Sequence, residues 1–541
     1  MTAAGTRTDP LVRVHELLGV WGDPAASVAG LLCDRRPAGE VAYTVVEPDL
    51  AARDLTYGEL REASERFAAG LAELGVGPGD RVATLLGKST ELLVALLGCW
   101  RLGAVHVPLF TAFAPPQVAL RLAGSAARVV ICDETQRPKL AGLDTPARVV
   151  TVGAGAPGDV GFAELLDRHP PGFPAAALGG DAPVVLLYTS GTTGRPKGVP
   201  VPTAAIASFA AYVEYGVDLR PDDVYWNAAD PGWGYGLYFG VIGSLLSPAR
   251  SVLLHAAFSA ELTWAVLARF GVTNMGAAPT VYRALRAADL QAPAGLRLRC
   301  ASSAGEPLTP EVNEWAVRTL GVPVHDHYGQ TETAMVVNNH HHPALRRPLK
   351  PGTMGHPKPG WSVAVLRADR DEPAPAGEPG RICFDLPASP LAWFRGYLDE
   401  PGRSAEKFSR DGRWYVTGDS GRVDEDGYLF FQSRDDDVII MAGYRIGPFE
   451  VESVLVTHPA VEEAAVVAAP DEIRGEALEA HVVLRPGTAG SAELERELQQ
   501  LVRTRFAAHA YPRRVHFVPA LPKTPSGKVQ RFALRQRGAE P

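Results

Sequence analysis

Between Tyr188 and Gly198 the chain reads Tyr-Thr-Ser-Gly-Thr-Thr-Gly-Arg-Pro-Lys-Gly, a composition suited to holding a polyphosphate. Thr189, Ser190, Thr192 and Thr193 offer neutral hydroxyl donors, and Gly191, Gly194 and Gly198 let backbone N–H groups crowd around anionic oxygens. Lys197 adds a mobile positive charge. Ordinary surface turns share this composition, so the weight of the loop depends on what accompanies it. It is not a Walker loop, because Gly198 rather than Ser or Thr follows the lysine. Val199 to Pro202 reads as extended chain, and a helix is expected only from Ala204 to about Tyr215, with Thr203 as its N-cap and Gly216 beyond its end. Loop amides and hydroxyls would therefore hold the phosphate without a helix dipole.

The elements that position this loop read as layered α/β structure. Thr56 with Glu59 makes a capping-box pattern, after which Leu60, Phe67, Leu71 and Leu74 share one helical face. Val82 to Leu86 reads as a strand, Glu91 to Leu102 as a helix, and Ala104 to Pro108 as a further strand. Thr309 and Pro310 read as the N-cap and first position of a helix ending near Gly321. Val322 to Val324 is strand-like and delivers His325, Asp326, His327 and Tyr328 to a loop, the place where α/β sheets hold ligands. The end of the chain changes character. A helix over Glu450 to Thr457, strands over Val461 to Val467 and Ala480 to Leu484, a helix from Ser491 to about Phe506 and a strand near Val515 to Val518 describe a small α+β unit. The acidic run Asp435, Asp436, Asp437 marks its border, giving domains 1–435 and 436–541. Glu372 to Gly380, rich in Pro and Gly, reads as an exposed loop.

Four more segments follow the glycine-rich loop in order: Ser303-Ala304-Gly305-Glu306-Pro307, Tyr328-Gly329-Gln330-Thr331-Glu332-Thr333, Tyr415-Val416-Thr417-Gly418-Asp419 and Pro525-Ser526-Gly527-Lys528. Together these five motifs resemble the adenylate-forming (ANL) superfamily, which includes acyl-CoA synthetases, luciferases and adenylation domains of peptide synthetases. Gly305-Glu306-Pro307 and Asp230-Pro231-Gly232-Trp233 are most similar to the acetyl-CoA and medium-chain acyl-CoA synthetases. The resemblance implies a large layered α/β N-terminal AMP-binding domain with a small mobile α+β C-terminal lid, and an enzyme that uses ATP, Mg²⁺ and CoA.

The same resemblance assigns roles. Lys197 and the loop from Thr189 to Gly194 grip the departing pyrophosphate. Glu332 holds Mg²⁺, a hard cation that prefers oxygen ligands. Asp419 takes the ribose hydroxyls, a task for an acceptor-only carboxylate. Asp326 accepts from the adenine amino group and Tyr328 stacks on the base, with Gly305, Glu306 and Pro307 on its other side and His327, Gly329, Gln330 and Thr331 around the nucleotide. Lys528 bridges carboxylate and α-phosphate, stabilising charge that develops in the transition state. Asp436 is the hinge about which the small domain turns for the thiol step. Ala442, Gly443 and Tyr444 line a pantetheine tunnel, Arg434 and Arg445 contact phosphate, and Arg503 meets the 3′-phosphate of CoA. Lys528 is also a target for an acyltransferase that would remove its charge.

Acetyl-specific relatives close the acyl pocket with a tryptophan where this chain has Gly329, so a deeper pocket is expected, for a medium-chain, branched or aromatic acid. Trp233, Tyr235, Tyr238, Gly329 and Val337 are its candidate walls. An adenylating enzyme that loads a carrier protein or forms an amide is the alternative reading, and a nucleotide sensor without catalysis is a third. His340, His341 and His342 read as a polar loop near this pocket.

Composition sets the outer limits. A chain of 541 residues exceeds one ordinary core. Its net charge of −8 disfavours nucleic-acid binding. Cys33, Cys99, Cys132, Cys300 and Cys383 show neither zinc nor disulfide spacing, which fits a reducing compartment. Met1 to Pro10 lacks the pattern of a signal peptide, and the apolar stretch Leu92 to Trp100 is cut short by Arg101, too short for a membrane span. A cytoplasmic enzyme is the expectation.

Overall fold

The computed structural model describes residues 9–189, 196–288, 290–434, 437, 439–441, 444–471, 475–506, 510–524 and 527–537. Two large sheets organise the N-terminal domain. The first has seven strands among the described residues, in the order Val160–Gly161, Arg148–Val152, Val129–Asp133, Arg81–Leu85, Val105–Pro108, Pro183–Thr189 and Lys197–Pro202. Its pairs are parallel except for the final hairpin, in which Thr189 lies opposite Lys197. The register of that hairpin thus puts the two ends of the glycine-rich loop side by side.

The second sheet has, among the described residues, nine strands, His356–Pro357, Ala334–Asn338, Val324–Gln330, Cys300–Ala304, Asn274–Ala277, Val224–Asn227, Arg250–Leu254, Val41–Val46 and Ala52–Thr56 in spatial order. Helices fill the layer between the sheets. The helix Thr90–Leu102 is capped by Ser89, whose Oγ accepts from Leu92 N at 3.2 Å, and ends at Gly103 with φ 80°. Every residue from Leu92 to Leu102 is buried, so the apolar stretch of the sequence is the inside of a layered protein. Truncating a fully buried member such as Leu96 to Ala would cost about 2–5 kcal/mol. The capping box opening Tyr57–Glu73 is complete: Thr56 N donates to Glu59 Oε2 at 2.7 Å and Glu59 N to Thr56 Oγ1 at 3.2 Å. Among the described residues no helix is long and apolar enough to cross a membrane.

A four-stranded antiparallel sheet, Val363–Leu366, Gly380–Asp385, Trp414–Val423 and Leu429–Arg434, follows. The small C-terminal domain has a sheet built on the long hairpin Val461–Asp471 with Gly475–Leu484, which Arg514–Phe517 joins in parallel. Ile439, Val451, Val466, Leu478, Leu498 and Val502 form a core of its own beneath the helices Pro448–Leu455 and Ala492–Arg505.

Two local expectations fail. Thr203 does not cap the next helix, because its hydroxyl donates instead to Ala182 O at 3.1 Å; the helix runs Ala205–Ala211 from an Ala204 N-cap and continues as a wider turn over Tyr212–Gly216. His325 to Tyr328 are strand rather than loop, since Val324–Gln330 pairs with Cys300–Ala304 on one side and Ala334–Asn338 on the other. Backbone partners on both edges override the polar sequence.

Candidate active site

Asp419 is the hub of the site. It sits in the strand Trp414–Val423, follows Gly418 at φ 76°, and is buried. Tyr328 Oη and Gln330 Nε2 both donate to its Oδ2 at 2.6 Å, and Arg434 Nη1 lies 3.5 Å from Oδ1 across the hairpin that pairs residues 419 and 434. Gln330 also donates to Thr417 O at 3.0 Å and accepts from Tyr415 Oη at 2.9 Å. One amide side chain therefore ties the strand that carries the second motif to the strand that carries Asp419.

A second cluster surrounds Glu332. This carboxylate is buried and accepts from Tyr397 Oη at 2.7 Å through Oε1, while the Lys197 ammonium sits 4.9 Å above the Tyr397 ring. Lys407 donates to Thr417 O at 2.9 Å and lies over the Tyr415 ring, where burial lowers its pKa. Tyr397 and Lys407 were not identified by sequence reasoning. They reach the site through tertiary register, Lys407 because its backbone carbonyl accepts from Val416 N at 2.8 Å.

Asp326 faces the opposite wall. Its Oδ2 accepts from Leu308 N at 3.3 Å, its buried Oδ1 has no hydrogen-bond partner among the described residues, and burial pushes its pKa up to about 8. Glu306 is held by Thr280 Oγ1 at 2.5 Å and Arg283 Nη2 at 2.6 Å. Gly305, at φ 99°, lies against the Trp233 ring, 3.3 Å from where a Cβ would stand. Tyr238 donates to Thr331 O at 3.1 Å, and Tyr235 is buried behind Trp233.

Lys528 approaches these groups from the C-terminal domain. Its backbone N donates to Thr524 Oγ1 at 3.1 Å, and a Cβ on the neighbouring Gly527, at φ 90°, would stand 3.0 Å from Thr280 Oγ1. The side chain is accessible to water, yet the surrounding chain desolvates its ammonium enough to lower its pKa, with Glu306, Asp419 and Glu332 opposing that shift and Arg434 adding to it. Glu306, Glu332, Asp419, Arg434 and Lys528, drawn from four motifs and a domain border, thus sense one another electrostatically.

Comparison with known proteins agrees with this convergence. Residues 33–398 match the AMP-binding enzyme family and residues 450–528 match the AMP-binding enzyme C-terminal domain. The chain belongs to the AMP-binding enzyme family. It is 34% identical over 494 residues to the mouse (Mus musculus) mitochondrial acyl-coenzyme A synthetase ACSM3, covering 89% of this chain and 84% of that protein. It is 36% identical over 490 residues to an acetyl-coenzyme A synthetase of Bacillus subtilis, covering 89% and 84%. Among solved structures, a Brucella canis acyl-CoA synthetase is 43% identical, with a TM-score of 0.77 and coverage of 99% of this chain and 98% of that one. The protein is an AMP-forming acid–thiol ligase that uses ATP, Mg²⁺ and CoA.

The residues of this AMP-binding enzyme fit those groups. Asp326 Oδ1 is a buried acceptor without a donor among the described residues, and Glu332 keeps its second oxygen clear of the Tyr397 bond, an oxygen ligand of the kind Mg²⁺ prefers. Several expected residues lie elsewhere. Ser190, Gly191, Thr192, Thr193, Gly194, Asp436, Ala442 and Gly443 fall outside the described residues, as do the side chains of Tyr444 and Arg445. Arg503 stacks on Tyr511 at 3.7 Å, and Arg513 stacks on the same ring. Val337 is buried in the apolar core opposite Tyr328.

Gly329 stands at a register shift, and a Cβ there would lie 1.9 Å from Ala334 O, whose residue adopts φ 57°. His340 and His341 lie in irregular chain beyond the strand Ala334–Asn338, as a loop reading expects, but they are buried, with His341 donating toward Ser302 Oγ or Ala301 O and stacking at 3.7 Å on His325. His327 is likewise buried, and its Nδ1 lies 2.6 Å from Tyr212 Oη, so its ring is turned to the protein interior; burial keeps His325, His327, His340 and His341 neutral at pH 7.

Proposed function

We propose that this ligase activates a medium-chain, branched or aromatic acid in preference to acetate. The observation that carries the reading is the close approach of Ala334 O to Gly329. No side chain can be added at 329 without moving that backbone, so a bulky residue cannot wall off the acyl pocket from this position. Trp233, Tyr235 and Tyr238 supply the remaining aromatic wall. A panel of carboxylic acids assayed with ATP and CoA tests the proposal, and acetate giving the highest kcat/KM would overturn it.

In the first half-reaction the chain brings two anions together and steadies the charge that builds between them. Asp419, oriented by Tyr328 and Gln330, takes the ribose hydroxyls, and Asp326 Oδ1 takes the adenine amino group. Lys197 and the loop from Thr189 to Gly194 receive the pyrophosphate. Glu332 would hold Mg²⁺, which neutralises phosphate charge when bound. Lys528 places its ammonium at the reacting carboxylate and α-phosphate.

The second half-reaction needs Lys528 out of the way of the thiol, and we place the domain border at 435 and 436 with Asp436 as hinge. Asp437 supports this, because Arg535 Nη2 at 3.1 Å and Arg531 Nη1 at 3.5 Å tie it to the last helix of the small domain. The rotating body then begins at Asp437. Arg434 and Arg445 contact phosphate, and Ala442, Gly443 and Tyr444 form the pantetheine passage, with Arg503 meeting the 3′-phosphate. Lys528, accessible and of lowered pKa, is also the point at which an acyltransferase would silence the enzyme. Mass spectrometry after incubation with an acyl donor tests that, and an unmodified Lys528 would rule it out.

A further inference from the structure

Lys528 reaches the site on a loop of the small domain that is stiffened from within. Lys523 and Val529 pair as an isolated bridge, Gly527 N donates to Thr524 O at 2.9 Å, and Thr524 N donates to Lys528 O at 2.7 Å. A loop closed in this way moves as a unit, so the resting place of Lys528 depends on what the loop meets in the large domain. It meets Thr280. Gly527 has φ 90°, and the three atoms nearest to a Cβ placed there, leaving aside its chain neighbours, are Thr280 Oγ1 at 3.0 Å and Thr280 Cβ and Cγ2 at 3.6 Å.

Thr280 is not a loose surface hydroxyl. It stands at the second position of the helix Pro279–Ala287, and Arg283, three residues on, shares its face. Thr280 Oγ1 donates to Glu306 Oε1 at 2.5 Å and accepts from Arg283 Nη2 at 3.0 Å, and Arg283 Nη2 donates to Glu306 Oε2 at 2.6 Å. The three side chains close a ring that fixes the Thr280 hydroxyl and gives each carboxylate oxygen a donor. The same ring governs charge. Desolvation disfavours the Lys528 ammonium, and Glu306 is the foremost group opposing it, ahead of Asp419 and Glu332, while Arg434 adds to it. Among the described residues, however, no ion pair joins Lys528 to Glu306, whose partner is Arg283.

We propose that Thr280, Glu306 and Arg283 form the seat on which the Lys528 loop comes to rest for adenylation. Thr280 sets the distance of approach through Gly527, and Glu306, its charge tempered by Arg283, attracts the ammonium without binding it. All three are positioning residues, since they act through Lys528. The inference rests on the reading that Lys528 serves the first half-reaction and then withdraws. A carboxylate free to form a full ion pair would hold the lysine back from the second half-reaction, and a seat without charge would not draw it in for the first.

The experiment compares pyrophosphate exchange with thioester formation from supplied acyl-adenylate. In Thr280→Leu the larger side chain lifts the loop, so exchange should fall about tenfold to a hundredfold while thioester formation stays within about twofold of wild type, which also shows that the variant folds. Thr280→Ser keeps Oγ1 and should hold exchange within about twofold of wild type. The pH profile of exchange is a readout that a merely structural role would not move. Glu306→Gln removes an attraction that favours the charged amine, so the alkaline limb should shift to lower pH; Arg283→Gln removes an opposing cation, so the limb should shift to higher pH. These two charge variants decide the matter if Thr280→Leu does not fold. Exchange unchanged in Thr280→Leu, a loss shared equally by both half-reactions, or alkaline limbs that do not part overturns the inference alone, provided that Lys528→Ala remains selective for exchange. If Lys528→Ala itself slows both half-reactions equally, the reading of Lys528 falls and the inference with it.

Discussion

Asp419 and Lys528 serve one site from opposite ends of the chain, and they are held in opposite ways. Asp419 is buried in a strand, with Tyr328 and Gln330 both at 2.6 Å and a glycine-shaped turn before it. Lys528 sits on an accessible loop, anchored through its backbone to Thr524, and among the described residues its ammonium has no hydrogen-bond partner. A nucleotide must be met by groups already oriented, which favours packing Asp419 into the sheet. A residue that acts in one half-reaction and obstructs the next must leave, which favours a group with few bonds to break.

The sharpest way to break this contrast is Lys528→Ala. Acyl-adenylate formation should fall on the order of 10²–10³-fold, the loss typical of one aligned transition-state donor, while thioester formation from supplied acyl-adenylate persists. Equal loss of both half-reactions would show that Lys528 does not withdraw. Because desolvation lowers its pKa, the alkaline limb of pyrophosphate exchange should lie below the ordinary lysine value of about 10.4, since the neutral amine cannot stabilise the developing charge. Asp436→Pro addresses the movement itself. Fixing one φ angle should slow thioester formation on the order of tenfold or more and spare pyrophosphate exchange, and an unchanged overall rate would exclude a hinge there.

The rigid half of the site was the more legible in the sequence, because it is written in short motifs whose residues stay together in the fold. Thr56 with Glu59 and the apolar spacing of Leu60, Phe67 and Leu71 likewise specify a local helix that needs no tertiary information. Tyr397, Lys407 and the His325–His341 stack carry no such local mark. They are brought in by strand register and by the crossing of distant segments, which no periodicity records. Gly329 shows the converse: the residue was noticed, but its reason, the carbonyl of Ala334, exists only once two strands are paired with a shift.

Tyr397→Phe tests how far preorganisation extends beyond the motifs. A hydrogen bond to a charged group contributes about 1.5–3 kcal/mol, and solvent would replace part of it, so a rise of about tenfold in KM for MgATP is expected. Adenylation kinetics measured across MgATP concentrations would show it. A KM unchanged within error would mean that Glu332 is positioned without Tyr397, and that the ordered region is smaller than the hydrogen bonds imply.

The smallest effect concerns what the rigid half costs before nucleotide arrives. Asp326 has a pKa raised to about 8 by burial, against about 3.9 for an exposed aspartate, so between those values the folded protein holds a proton that the unfolded chain has lost. Its contribution to stability is fully present below about pH 4 and is lost as pH rises through about 8. Asp326→Asn removes the titration, so its melting temperature should gain on that of the wild type between pH 5 and pH 9 by a few degrees. A donor brought to Oδ1 by adenine favours the carboxylate, so wild-type affinity for ATP should increase with pH over the same interval while that of the variant does not. Parallel melting curves and parallel binding profiles would mean that Asp326 is not the group that waits for the base.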